Sequence, residues 1–243
     1  MIGTMKHKLA DMLKDIWMYV RQVLYILDCQ WIWLRYRVVH NKSIRNPLYP
    51  IWVDPSQITH VVAGGVLPTS SPFCLDRSIG GDWDLHISMA GSLAGDLGEQ
   101  EQGLILIEST DIHQAFSSHF HNQVSWEDTV FYKRVVGQIE QGRRKWRCST
   151  AEEFSRRLQD VDRLFNTIRE QGYRTQLDLR TPRAWDEIRL AIGRSGELIL
   201  FDGRHRLSMA KILELKRIPA IVSIRHSQWD GDLGTIQRQY GNH

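Results

Sequence analysis

Cysteine is scarce in this chain, with three residues at positions 29, 74 and 148 among 243. An odd number at wide spacing excludes a disulfide framework and offers no paired zinc ligands, and a reducing cytoplasm is the simplest setting for it. Net charge is small too. A formal +3 with a pI near 8.8 makes no electrostatic case for a nucleic-acid partner. Long uncharged apolar runs are also missing. In the most hydrophobic segment, Arg21 and Asp28 interrupt every window long enough to span a bilayer, and no small-residue cleavage site follows. Neither a spanning helix nor a secretory signal is expected. At 42% hydrophobic and 24% charged residues the composition is that of an ordinary globular protein, with enough chain for one embellished domain or two small ones.

Residues 1–46 carry Leu9, Leu13, Ile16, Val20, Leu24, Leu27, Trp31, Leu34 and Val38 at steps of three and four, with Lys8, Asp11, Lys14, Arg21, Asp28 and Arg35 on other faces. That pattern predicts a long amphipathic helix. Trp17, Tyr19, Trp31, Trp33 and Tyr36, with Arg35, Arg37, Lys42 and Arg45, suit peripheral contact with a membrane surface. The acidic residues mixed among the basic ones favour packing on the core or self-association with a second subunit.

A domain is expected over residues 47–229, with an insertion around 62–150 and a weakly patterned tail at 230–243. Ile51-Trp52-Val53 reads as a strand running into a turn capped by Asp54. Within the loop-rich stretch that follows, Gly80-Gly81-Asp82-Trp83-Asp84 stands out, and the segment from Ser88 to Gln102 is expected to be a mobile insertion. Asp82 and Asp84, if on a strand, point to one side and present paired carboxylates to a metal or a general-base role. The other reading is a loop of solvated acids. His119 and His121 do not share a helical face, so no histidine metal site is expected there.

Further helices are expected over 111–123 and from a Ser125 cap to Gly142. Another runs from Ser149 or Thr150 to Gly172, with Phe154, Leu158, Val161, Phe165 and Ile168 buried. The cluster Arg143-Arg144-Lys145-Trp146-Arg147 is either a contact for phosphate or a nucleic-acid backbone or a solvated loop. Strands are expected at Thr175–Leu179, Ile188–Ile192, Leu198–Phe201 and Ile221–Ile224.

The most informative stretch runs from Glu197 to Val222. An apolar strand ends in Asp202-Gly203, and Arg204-His205-Arg206 opens a helix whose apolar residues include Leu207, Ala210 and Leu215. Glycine lets the backbone approach a ligand, the first N–H groups of a helix are unsatisfied donors, and the arginines add fixed positive charge. A phosphate cradle follows from this chemistry. The alternative is a turn with solvated arginines.

Asp202-Gly203-Arg204-His205-Arg206-Leu207, then Ala210-Lys211, Leu215 and Ile218-Pro219-Ala220-Ile221-Val222, resembles the phosphate-binding box of the ParB/sulfiredoxin-like superfamily. Leu164 to Gly172 with Gln176 resembles the helix and following glutamine of the same family. The resemblance covers 160–226, with a weaker echo at 51–58. It implies an α+β domain with a small mixed sheet and packed helices, and the order of the expected strands puts the 197–222 stretch at the sheet edge. It also implies a phosphate or nucleotide site at Asp202, Gly203, Arg204, His205, Arg206, Gln176 and His226.

DNA-partition members continue into a DNA-binding region, for which the residues after Trp229 show no pattern, and sulfiredoxins need a cysteine where Arg204 and His205 stand. The resemblance therefore implies an ATP- or CTP-dependent phosphotransferase, kinase-like, or a nucleotide hydrolase acting on a small hydroxylated substrate. His205 would act with Asp82 or Asp84 as catalytic groups, and Mg²⁺ would be held by the same two aspartates. The alternative is a non-catalytic module binding a phosphorylated ligand or a nucleic-acid backbone.

Overall fold

The computed structural model describes residues 2–39, 49–62, 77–85, 103–231 and 233–240. The expected mobile insertion at 88–102 lies outside them. Among the described residues seven strands form one mixed sheet: β1 (Ile51–Val53), β2 (His60–Val62), β3 (Arg77–Ile79), β4 (Leu104–Leu106), β5 (Ile188–Ile192), β6 (Leu198–Asp202) and β7 (Ile218–His226). Their order is β1-β7-β5-β6-β2-β4, with β3 pairing the far end of β7 beyond β1. The protein is thus α+β with a mixed sheet. The strand ahead of the glycine turn, β6, lies between β5 and β2 rather than at the edge.

Alternation sorts the strand residues to two faces. Ile188, Leu190 and Ile192 of β5, Leu198 and Leu200 of β6, and Ile218, Ala220 and Val222 of β7 share one core with Leu207 and Ala210 of helix α5 (Arg204–Ile212). Ala191, Ile199 and Ile224 face the other side with Trp83. Val222 pairs with Leu190 but Ile224 pairs with the next residue, Ala191, so a bulge at Ser223 inverts the alternation. Ile224 and His226 are thereby aimed at the Trp83 face.

Helices α2 (Asp111–Asn122), α3 (Val130–Glu140) and α4 (Ala151–Gln171) build a second core around Phe116, Phe131, Phe154 and Leu158, joined to the first through Met209 of α5. Residues 103–150, read from sequence as part of an insertion, therefore supply a strand and two helices to the packed body. Thr150 caps α4, its hydroxyl accepting from Glu153 N–H at 3.2 Å, and Gly172 ends it. The α3 start departs from expectation. Ser125 precedes only a short 3-10 turn, and Thr129 is the cap, accepting from Tyr132 N–H at 3.1 Å. Residues 175–179 form a turn held by Thr175 and Asp178 side chains instead of a strand. The tail folds as well: in α6 (Leu233–Tyr240), Ile236 is buried in the sheet core.

Helix α1 (Ile2–Val39) forms as the periodicity predicts. It docks through Tyr25 and Cys29, both fully buried against Ala184 and Ile221, while Gln22 Oε1 accepts from Ala184 N–H at 2.8 Å. The Tyr25 ring meets Trp185 edge-on at 6.0 Å. No helix among the described residues is long and apolar enough to cross a membrane.

Between β6 and α5, Gly203 sits at φ +97°, and a Cβ built there would lie 3.1 Å from Ile188 Cα. Both the left-handed backbone and the approach to a neighbouring strand demand glycine. Gly203→Ala is expected to cost about 1–3 kcal/mol and to lower the midpoint in a thermal melt followed by circular dichroism.

Candidate functional site

The Gly203 turn forms one wall of a cleft of about 500 Å³. Asp202, Gly203, His205, Arg206 and Met209 line it together with α4, the segment 172–186 and Trp146-Arg147. Five arginines reach this cleft, Arg147, Arg157, Arg174, Arg183 and Arg206, against three aspartates, Asp160, Asp186 and Asp202. The excess is cationic. Val161, Leu164, Ile168, Met209 and Trp146 add apolar surface, which leaves a pocket of the size and mixed lining typical of small-molecule sites.

Of the residues proposed from sequence, Asp202, Gly203, His205, Arg206 and Gln176 line this cleft. Asp202 Oδ1 accepts from Gly203 N–H at 2.7 Å, and its side chain is otherwise exposed. Arg206 is committed inward. Its guanidinium donates to Asp186 Oδ1 at 2.9 Å and to the Asp186 carbonyl, pinning the loop ahead of β5 to the first turn of α5. Arg204 follows Gly203 at the first position of α5 and is half-buried.

His205 lines the cleft among aromatic rings. Its ring packs 3.9 Å from the Trp146 ring and stacks at 6.0 Å on Phe116. Burial first, then the charges of Arg206, Arg204 and Arg157, push its imidazole down to about 3. An imidazole so poised does not carry a proton at neutral pH, so His205 fits a packing and stacking role better than that of an acid.

Asp82, Asp84 and His226 come together elsewhere. Asp84 is enclosed and receives the Arg194 guanidinium at 2.8 and 3.0 Å and the Arg194 N–H at 2.7 Å, while Asp82 is an exposed partner of the same guanidinium at 2.8 Å. Burial alone would raise the Asp84 carboxyl, but the hydrogen bonds from Arg194 outweigh it and hold the group below the usual carboxylate range. His226 Nε2–H donates to Gly81 carbonyl at 2.7 Å, and its Nδ1 accepts from Gln228 N–H at 3.1 Å. Both ring nitrogens are thereby occupied.

Gly203 lies against Ile188 at one end of β5, and Arg194 follows the other end. The strand alone separates them by about 13 Å at a rise of ~3.3 Å per residue. The two aspartates are therefore a structural clasp around Arg194, removed from the glycine turn. Among the described residues no group of three or more histidine, cysteine or acidic side chains is placed to hold a metal ion, and Asp82 and Asp84 are both engaged by Arg194.

Sequence reasoning missed Arg157, Asp160, Tyr173, Arg183 and Asp186. Arg157 and Asp160 lie on the polar face of α4 and are indistinguishable in sequence from a solvated stripe. Trp146 and Arg147 belonged to the noted basic cluster, and their positive φ values, 52° and 64°, bend the chain toward the cleft.

Behind the cleft wall sits Glu187, 2% exposed, with Oε1 accepting from Gln176 N–H and Oε2 left without a hydrogen-bond partner. Burial dominates over the Gln176 N–H and the Arg206 charge and pushes this carboxyl up to about 7. No protein-family model matches the chain, and neither a curated protein nor a solved structure matches it.

Because the folded Glu187 carboxyl titrates near 7 and the unfolded one near 4.5, the folded state holds the extra proton between these values. Stability is therefore full below the unfolded value and lost as pH rises through 7. Chemical denaturation should show a loss of on the order of 3 kcal/mol between pH 4.5 and 7.5, flattened in Glu187→Gln. Arg194→Met, which leaves the Asp84 carboxylate without its cation, should lower stability in the same assay.

Proposed function

We propose that the cleft at the Gly203 turn binds a nucleotide or a closely related phosphorylated small molecule. The observation that carries this reading is the convergence of five arginines on one cleft beside the N-terminus of α5. Guanidinium groups match phosphate oxygens in planar, two-pronged geometry, and the first N–H groups of a helix add unsatisfied donors at the same point. Trp146, Leu164 and Ile168 supply an apolar wall on which a base can rest. The likeness of the Asp202-to-Leu207 box to the ParB/sulfiredoxin-like superfamily supports the same ligand class.

For the reaction, the reading is a nucleotide-dependent phosphotransferase or hydrolase, with ATP or CTP and Mg²⁺ as the implied ligands. Asp202 is then the carboxylate to carry the base role. It is exposed at the cleft, whereas Asp186 is tied to Arg206. The second reading, a non-catalytic module for a phosphorylated ligand, is favoured by one observation: Asp82 and Asp84 are held by Arg194 at the other end of β5.

Thermal melts with ATP, CTP, their non-hydrolysable analogues and inorganic phosphate, each with Mg²⁺, test the site. At ligand concentrations a hundred times the dissociation constant, binding adds about 2.7 kcal/mol, a rise of roughly 5–10 °C for a chain of this size. Arg157→Ala, on the exposed side of α4, should leave the ligand-free midpoint in place and reduce the rise. An unchanged midpoint with every nucleotide removes the reading. If binding is seen, Asp202→Asn separates the two forms: it abolishes turnover in an enzyme while ligand binding persists.

A further inference from the structure

Helix α1 docks on the rest of the protein by only one side. Tyr25 and Cys29 are buried and Gln22 bonds Ala184, whereas a different set of side chains faces away. Leu13, Trp17, Val20, Leu24, Leu27, Trp31, Leu34 and Val38 are between 42% and 70% exposed. Their spacing alternates 4, 3, 4, 3, 4, 3, 4 without a break. That is a seven-residue repeat, with Trp17, Leu24, Trp31 and Val38 at one core position and Leu13, Val20, Leu27 and Leu34 at the other. At 100° per residue, Gln22, Tyr25 and Cys29 lie on the side of the helix opposite this stripe.

We infer that this stripe is the seam of an antiparallel two-helix coiled coil formed with α1 of a second copy of the chain. The period is the first argument. A strict seven-residue repeat drifts by about 20° per heptad on a straight helix, so a flat surface would progressively lose the stripe, whereas a partner helix that supercoils with it keeps contact throughout.

Register is the second argument. Placed antiparallel about a two-fold axis between Tyr25 and Ile26, every seam residue finds a seam partner. Leu24 meets Leu27 of the other copy, Val20 meets Trp31, Trp17 meets Leu34, and Leu13 meets Val38. Each indole faces a smaller aliphatic side chain, where a parallel pairing would oppose Trp17 to Trp17 and Trp31 to Trp31. Each contact also occurs twice, as a two-fold interface requires.

Charge supports the same arrangement. Arg21 and Asp28 border the seam at equivalent flanking positions, and the antiparallel register brings Arg21 of each copy beside Asp28 of the other. The four indoles, each about 60% exposed, can bury roughly 400–600 Å², so with twelve aliphatic side chains the seam reaches the size of a specific interface.

Sedimentation of the full chain tests the inference. The wild-type protein should be a dimer. Leu24→Glu and, separately, Val20→Lys should give monomers whose circular dichroism keeps the wild-type helix content outside the seam. Asp28→Arg and Arg21→Glu should each weaken the dimer several-fold, and the double variant should restore it. Because Arg21 also lies 5.2 Å over the Trp185 ring, Asp28→Arg is the cleaner single probe. A wild-type monomer overturns the inference, including a monomer that floats with phosphatidylcholine–phosphatidylserine vesicles, which would make a lipid surface the occupant. A dimer that survives both seam variants overturns it as well, and failure of the double reversal to restore association overturns the antiparallel register.

Discussion

The contact of Gly203 with Ile188 fixes how the sheet and the helical half of the protein meet. A Cβ there would lie 3.1 Å from Ile188 Cα on a backbone held at φ +97°, so glycine lets β6 end and α5 begin that close to the neighbouring strand. From this pivot α5 runs with Leu207 and Ala210 into the sheet core and Met209 into the helical core, joining the two. Arg206, one turn into the helix, then reaches Asp186 just ahead of β5. The cleft exists because the pivot sets α5 beside β5 while α4 lies across the opening.

The two ends of β5 have different chemistry. At the Gly203 end, cations outnumber anions around an open cleft. At the other end, Arg194 is satisfied by Asp84 and Asp82, and His226 uses both nitrogens in hydrogen bonds to the backbone. Saturated groups of this kind hold loops in place: here they tie the 80–84 turn to the β5–β6 connection. The bulge at Ser223 is what delivers His226 to that face, since an unbroken β7 would have turned it toward the opposite core.

Local signals were legible in the sequence, and long-range placement was not. Thr150 and Gly172 mark the ends of α4, Pro55 and Asp54 a capped turn, and Asp202-Gly203 the strand-to-helix turn, because each acts through atoms a few residues away. The partner of Asp84 lies 110 residues on, and no spacing rule reports it. The same limit explains why Arg157 and Arg183 went unnoticed as cleft residues. For 175–179, an apolar-polar alternation reads as a strand, yet the Thr175 and Asp178 side chains satisfy the backbone locally and close a turn.

That turn belongs to a segment, 173–187, which has no strand or helix ladder of its own and is held by individual side chains. Gln176 N–H reaches Glu187, Thr181 bonds Gln176, Arg206 holds Asp186, and Gln22 of α1 accepts from Ala184. The segment supplies Gln176, Arg183 and Asp186 to the cleft, and its outer surface, Ala184 and Trp185, is what Tyr25 and Cys29 cover. Helix α1 is therefore a wall behind the wall of the cleft. Without it, Ala184 N–H would lose its acceptor and Trp185 its aromatic partner, and the loosening would reach Asp186 two residues later. Whatever fixes the position of α1 also fixes the shape in which the arginines of the cleft are presented.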